Sequence, residues 1–117
     1  MIVDDSSDMR KMLRSILTEG EEEMMDILEC SDGREAVVQY SLFHPDIVLM
    51  DIQLKTMNGF VAAENIYKQE PKAKIFFITS YNSQIFRDKA KKLKAQGFIL
   101  KDDLSDLQRL LHIKPSW

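Results

Sequence analysis

Cysteine, proline and glycine are all scarce in this chain, with one, three and four respectively among 117 residues. A lone thiol, Cys30, excludes an internal disulfide and fits the reducing cytosol. No apolar run approaches the roughly 20 residues that span a bilayer. Met1-Ile2-Val3 meets Asp4-Asp5 at once, which leaves no room for the apolar stretch of a signal peptide. Positive charge is not in excess: 16 Lys and Arg stand against 19 Asp and Glu, a net charge of −3. Direct nucleic-acid binding rests on a basic surface and is therefore not expected. Repeats, low-complexity tracts and long linkers are missing too. A chain of this length forms one domain, 1–117, large enough for a real core and too small for two.

What the chain does have is four short apolar runs, each ending on a reactive polar residue. Met1-Ile2-Val3 leads into Asp4-Asp5 and Ile47-Val48-Leu49-Met50 into Asp51. Ile75-Phe76-Phe77-Ile78 leads into Thr79-Ser80, and Phe98-Ile99-Leu100 into Lys101. Such runs, lacking polar alternation, read as parallel strands buried on both faces. A weaker strand is expected over 24–29.

Helical signals lie between the runs. Ser6 or Ser7 caps a first helix with Met9, Met12, Leu13, Ile16 and Leu17 on one stripe. Gly20 stops it, and Glu21-Glu22-Glu23 forms a solvated loop. Asp32 caps a second helix with Ala36, Val37, Tyr40 and Phe43 inward, ended by Pro45. Asn58-Gly59 starts a third with Phe60, Ala63, Ile66 and Tyr67 inward, stopped by Pro71. Asn82 or Ser83 caps a fourth carrying Phe86, Ala90 and Leu93, with Gly97 as terminator. The last runs from about 103 to 112, with Leu104, Leu107, Leu110 and Leu111 on one face.

Strict alternation of strand and helix predicts an α/β fold: a doubly wound, five-stranded parallel sheet of order 2-1-3-4-5, flavodoxin-like in topology. The ligand crevice of such a sheet lies outside the carboxyl ends of strands 1 and 3. Asp4-Asp5 and Asp51 fall at those two ends. Three carboxylates crowded there repel, by ~4 kcal/mol per pair at ~4 Å and an effective dielectric of about 20. One lysine does not balance them, so either a proton or a cation is required. Hard oxygen ligands without histidine or cysteine favour magnesium, which keeps positions free for a phosphate oxygen. A carboxylate can also be the nucleophile in phosphoryl transfer. Asp51, ending the central strand, is the best candidate. Asp4 and Asp5 would hold the metal, while Lys101 and Thr79 would contact phosphoryl oxygens.

In combination these residues resemble the receiver domain of two-component response regulators. The matching segments are IVDDSSDMRKMLRSIL, DGREAVVQY, PDIVLMDIQLKTMNGFVAAENI, IFFITSY and KKLKAQGFILKD, and they cover the whole chain. The resemblance implies that Asp51 accepts a phosphoryl group from a histidine kinase or phosphotransfer protein. It implies direct magnesium ligation by Asp5, Asp51 and the backbone carbonyl of Gln53, with Asp4 acting through water. Thr79 and Phe98 would form the switch, the ring moving inward as the hydroxyl is drawn to phosphate. Gln53 and Tyr81 would set the lifetime of the phosphoryl group. The face of helix 4, strand 5 and helix 5 would change, and would serve for a homodimer, an output domain or a target protein. Arg87, Lys89, Lys91, Lys92 and Lys94 make that face basic, with Asp102, Asp103 and Asp106 nearby. Of Met9, Met12 and Leu13, near the active-site edge, one would stay exposed to meet the kinase while most of the stripe is core.

Two positions depart from the family pattern. Lys55 stands where proline is usual four residues after the acceptor, and Asp102 follows Lys101 in place of proline. The Lys-Asp step is similar to receivers attached to LuxR-type helix-turn-helix regulators, and implies a cytoplasmic receiver that either stands alone or is a piece of a larger transcription regulator. The same departures motivate an alternative, a pseudo-receiver that binds proteins without phosphorylation. A haloacid-dehalogenase-like phosphatase would want an aspartate where Gln53 stands. A flavodoxin-like carrier would want a phosphate-cradling loop where Asp4-Asp5-Ser6-Ser7 stands.

Overall fold

The computed structural model describes residues 1–18, 26–105 and 107–110. The elements run β1 (Ile2–Val3), α1 (Ser7–Thr18), β2 (Glu29–Cys30), α2 (Gly33–Phe43), β3 (Val48–Asp51), α3 (Gly59–Gln69), β4 (Ile75–Thr79), α4 (Gln84–Lys92), β5 (Gly97–Leu100) and α5 (Leu107–Leu110). All strand pairs are parallel, in the order β2-β1-β3-β4-β5. This is the doubly wound sheet expected from the strand–helix alternation.

Successive strand residues point to opposite faces, and here each face has its own core. Ile2, Leu49, Phe76, Ile78 and Ile99 pack with Leu13 and Leu17 of α1 and Leu107 of α5. Val3, Val48, Met50, Ile75 and Phe77 pack with Ala36 and Tyr40 of α2, Phe60, Ala63 and Ile66 of α3, and Ala90 of α4. Burial on both faces explains why the runs carry no polar residue until they reach the sheet edge.

The caps are local and identifiable. Ser6 Oγ accepts the Met9 amide at 3.2 Å and Asp32 Oδ1 the Glu35 amide at 2.8 Å. Asn58 Oδ1 accepts from Phe60 at 2.7 Å, and Ser83 Oγ from Phe86 at 3.2 Å. Each satisfies an amide that the first helical turn leaves unpaired.

Some expectations need correction. The second strand lies at Glu29–Cys30, where it pairs with Ile2–Val3, and residues 26–28 are outside it. Gly97 does not terminate α4. That helix closes at Lys94, which takes φ 59°, while the Lys94 amide donates to Lys91 O and the Ala95 amide to Ala90 O. This is a Schellman closure with lysine in the left-handed position usually given to glycine. Gly97 instead opens β5, where an added Cβ would stand 2.7 Å from the Phe76 ring. Phe43 is 60% exposed, because the buried stripe of α2 ends on Tyr40, whose ring meets His44 edge-on at 5.8 Å. The expected stop at Gly20, the Glu21-Glu22-Glu23 loop, Asp106, Leu111 and His112 lie outside the described residues. Among the described residues no helix is long and apolar enough to cross a membrane.

Candidate functional site

Strand register assembles the site. Val3 pairs with Met50, so Asp4 and Asp51 leave adjacent strands side by side. Leu100 pairs with Thr79, and the Lys101 amide donates to Thr79 O at 2.8 Å, which brings the lysine to the same edge. α3 is drawn hard against the strand end: the Gly59 amide donates to Ile52 O at 2.8 Å, and a Cβ on Gly59 would stand 2.1 Å from Asp51 O. Only glycine permits that approach.

Asp4, Asp51 and Thr79 are buried at 1%, 4% and 0% exposure, although all three are polar. Carboxylate oxygens of Asp4, Asp5 and Asp51 lie within 4.8 Å of one another, with Asp5 at the half-exposed mouth. Lys101 Nζ sits 3.0 Å from Asp4 Oδ2 and 3.1 Å from Asp51 Oδ2. Asp102 in place of proline has not pulled the ammonium away. Asp51 Oδ1 accepts the Gln53 amide at 3.3 Å, and Asp4 Oδ1 the Ser6 amide at 2.9 Å. Asp4 Oδ2 is out of water and has the ammonium as an ion-pair partner, but no well-aligned hydrogen bond.

The electrostatics report an excess of negative charge. Burial, and then the Asp4 carboxylate, push the Asp51 pKa up from 3.8 to about 6, more than Lys101 and the Gln53 amide pull it down. Burial alone would lower the Lys101 pKa, but its contacts with Asp4 and Asp51 outweigh this and hold it above its ordinary value. Both shifts describe one shortage of positive charge. A hard divalent cation fits that shortage. A magnesium octahedron spans roughly 4.2 Å between opposite ligands. Carboxylate oxygens gathered within 4.8 Å of one another suit such an ion with part of its water shell retained.

The remaining candidate residues differ in exposure. Thr79 Oγ1 accepts the Tyr81 amide at 3.1 Å, and the Tyr81 side chain is 54% exposed. Gln53, two residues past Asp51, is exposed, and Phe98 is half-buried on β5. Met12 is 51% exposed on α1, whereas Leu13 is core.

Two features were not legible in the chain. Arg10 Nη1 donates to Asp4 O at 2.7 Å, and Arg10 Nε and Arg14 Nε donate to the two oxygens of Glu29 at 3.1 and 2.9 Å. The i, i+4 spacing of the arginines was visible, but their partner on β2 requires the sheet order. Arg87 stacks over Phe98, with its guanidinium carbon 4.6 Å from the ring centroid. Composition shows Arg87 only as one of several cations on α4.

Comparison with known proteins agrees with this fold. The family model described as the response regulator receiver domain matches residues 1–112. The chemotaxis protein CheY of Thermotoga maritima is 42% identical over 101 residues, covering 86% of this chain and 82% of that protein. A LuxR-family two-component response regulator from Aurantimonas sp. SI85-9A1 superposes with a TM-score of 0.86 at 28% identity, over 97% of this chain and 85% of that one. CheY of Borrelia burgdorferi, in its complex with CheX, BeF3 and magnesium, superposes with a TM-score of 0.84 at 29% identity, over 94% of this chain and 83% of that one. The chain belongs to the response regulator receiver domains, the CheY-like modules of two-component signalling.

Proposed function

We propose that this receiver is a magnesium-dependent switch in which Asp51 accepts a phosphoryl group from the phosphohistidine of a kinase or phosphotransfer partner. The observation that carries this is the convergence of Asp4, Asp5, Asp51, Thr79 and Lys101 at one sheet edge, with the lysine within 3.1 Å of two carboxylates. Asp5, Asp51 and the carbonyl of Gln53 would hold magnesium directly and Asp4 through water; bound there, the ion would offset charge on the phosphoryl oxygens. Asp51 attacks phosphorus as the P–N bond breaks, leaving that electron pair on the departing imidazole. Lys101 exchanges part of its pairing with Asp51 for a phosphoryl oxygen, which keeps an ammonium opposite the charge that moves. Thr79, buried and already accepting the Tyr81 amide, retains its own proton to donate to another phosphoryl oxygen. Tyr81 and Gln53, both exposed and each two residues past a site residue, would set phosphoryl lifetime by controlling the access of water.

The resulting change would reach partners through α4, β5 and the start of α5. Exposed Lys89, Lys92 and Lys94 on or beside α4, and Asp102 and Asp103 after β5, supply both signs of charge for a dimer or an output domain. Incubation with acetyl phosphate and magnesium should add one acid-labile phosphoryl group, seen by intact mass and lost in Asp51→Asn. A folded wild type that gains no mass would favour instead a protein-binding pseudo-receiver, the reading that Lys55 and Asp102 motivate.

A further inference from the structure

Phe98 lies on β5 with its ring half-buried against the core shared with α3 and α4. A phenylalanine at this position has no hydroxyl with which to hold itself at the surface. The structure supplies another hold. Arg87 reaches from α4 to lay its guanidinium over the ring at 4.6 Å, within the range of a cation–π contact. The guanidinium is itself fixed, because Nε and Nη2 both donate to Asn82 Oδ1, at 3.3 and 3.2 Å. Two bonds to one oxygen orient the plane of a group that would otherwise swing on a long side chain.

The anchor is placed where the reaction can reach it. Asn82 is the residue after Tyr81, whose amide donates to Thr79 Oγ1 at 3.1 Å. A contact path therefore runs from Thr79 through the Tyr81 amide and Asn82 to Arg87, and ends on Phe98. A shift of Thr79 towards a phosphoryl oxygen would act directly on the segment that carries the Arg87 anchor. Loss of that anchor lets the guanidinium leave the ring.

From this we infer that Arg87, anchored by Asn82, is the positioning residue that holds Phe98 in its half-buried place and thereby restrains phosphorylation of Asp51. The inference rests on the phospho-acceptor reading above. The stack favours one ring position over the other, so removing it shifts the ratio of the two. The shift expected for a partly exposed cation–π contact is about two- to five-fold. If the inward ring belongs to the phosphorylation-competent form, the reaction rate rises by the same factor.

The test compares Arg87→Met, Asn82→Ala and the charge control Lys92→Met. Phenylalanine ring 13C resonances, with Phe98 assigned by Phe98→Leu, are read in the metal-free, unphosphorylated protein. Phosphorylation rates are then measured with acetyl phosphate and magnesium. Arg87→Met should move the Phe98 resonance towards its position in phosphorylated wild type and raise the rate about two- to five-fold. Asn82→Ala, which leaves the cation but frees it, should act in the same direction and less strongly. Lys92→Met, with the same loss of charge, should do neither. A merely structural arginine would lower thermal stability without moving the ring or the rate. The inference is overturned if Arg87→Met and Asn82→Ala match Lys92→Met in both measurements while wild type is phosphorylated. A wild type that is not phosphorylated overturns the phospho-acceptor reading, and this inference with it.

Discussion

Two charged clusters meet at Asp4, and they are built on opposite principles. On its side-chain side, the carboxylates of Asp4, Asp5 and Asp51 crowd together and the Lys101 ammonium pairs with Asp4 and Asp51, largely away from water. On its carbonyl side, Arg10 and Arg14 share the two oxygens of Glu29 at the surface. The second cluster is satisfied: each guanidinium has a carboxylate oxygen and a backbone carbonyl, Asp4 O for Arg10 and Ile27 O for Arg14. The first is not, since it lacks positive charge and leaves Asp4 Oδ2 without a well-aligned donor. Charge that folding can balance marks structure. Charge that is buried and left unbalanced marks a place fitted to take up a proton or a cation.

The sharpest way to break this contrast is to remove the Lys101 ammonium from the pocket. Lys101→Met should cost about 2–4 kcal/mol in metal-free protein at neutral pH, because it strips the partner from two buried carboxylates. Chemical denaturation measures this, and a loss below ~1 kcal/mol would mean that the pocket is far more hydrated than its burial indicates.

Removing a carboxylate should do the reverse. Asp51 is held near pKa 6 in the fold against 3.8 as an ordinary aspartate, so the folded state binds more protons than the unfolded state between those values. Its contribution therefore falls as pH rises through that window, by up to about 3 kcal/mol at roughly 1.4 kcal/mol per pKa unit. Asp51→Asn should abolish that slope and stabilise the metal-free protein by about 1–3 kcal/mol above pH 6. Denaturation from pH 4 to 7 reads both effects.

The surface cluster should respond weakly and with the opposite sign. The hydrogen bond from Arg14 is the largest influence on Glu29 and holds its pKa below the ordinary 4.5. Its stabilisation is present above that value and is lost as pH falls through the lowered one. Because the cluster is exposed and screened, Glu29→Gln should cost less than about 1 kcal/mol, an effect that salt erodes. A larger loss would show that the Arg10 contact to Asp4 O ties the two clusters together energetically.

The central elements were legible because strands buried on both faces must be apolar until they meet the crevice. Asp4, Asp51, Thr79 and Lys101 stand out as the first polar residues after such runs. What escaped depends on neighbours distant in sequence. The Glu29 pairing with Arg10 and Arg14 spans 19 and 15 residues and needs β2 beside β1. Gly97 was misread because glycine near a helix end suggests a stop, whereas its role is to make room for Phe76, which is paired across the sheet. Phe43 fits the helical period, yet the period alone does not say where the covering layer ends.

The account stands most directly on whether the unbalanced pocket takes up magnesium. Thermal unfolding at pH 7 with increasing magnesium, alongside calorimetric titration, tests this. Wild type should gain stability as RT ln(1 + [Mg]/Kd), and Asp5→Ala and Asp51→Asn should lose most of that gain while remaining folded. A wild-type Tm indifferent to magnesium, with no heat of binding, would contradict it.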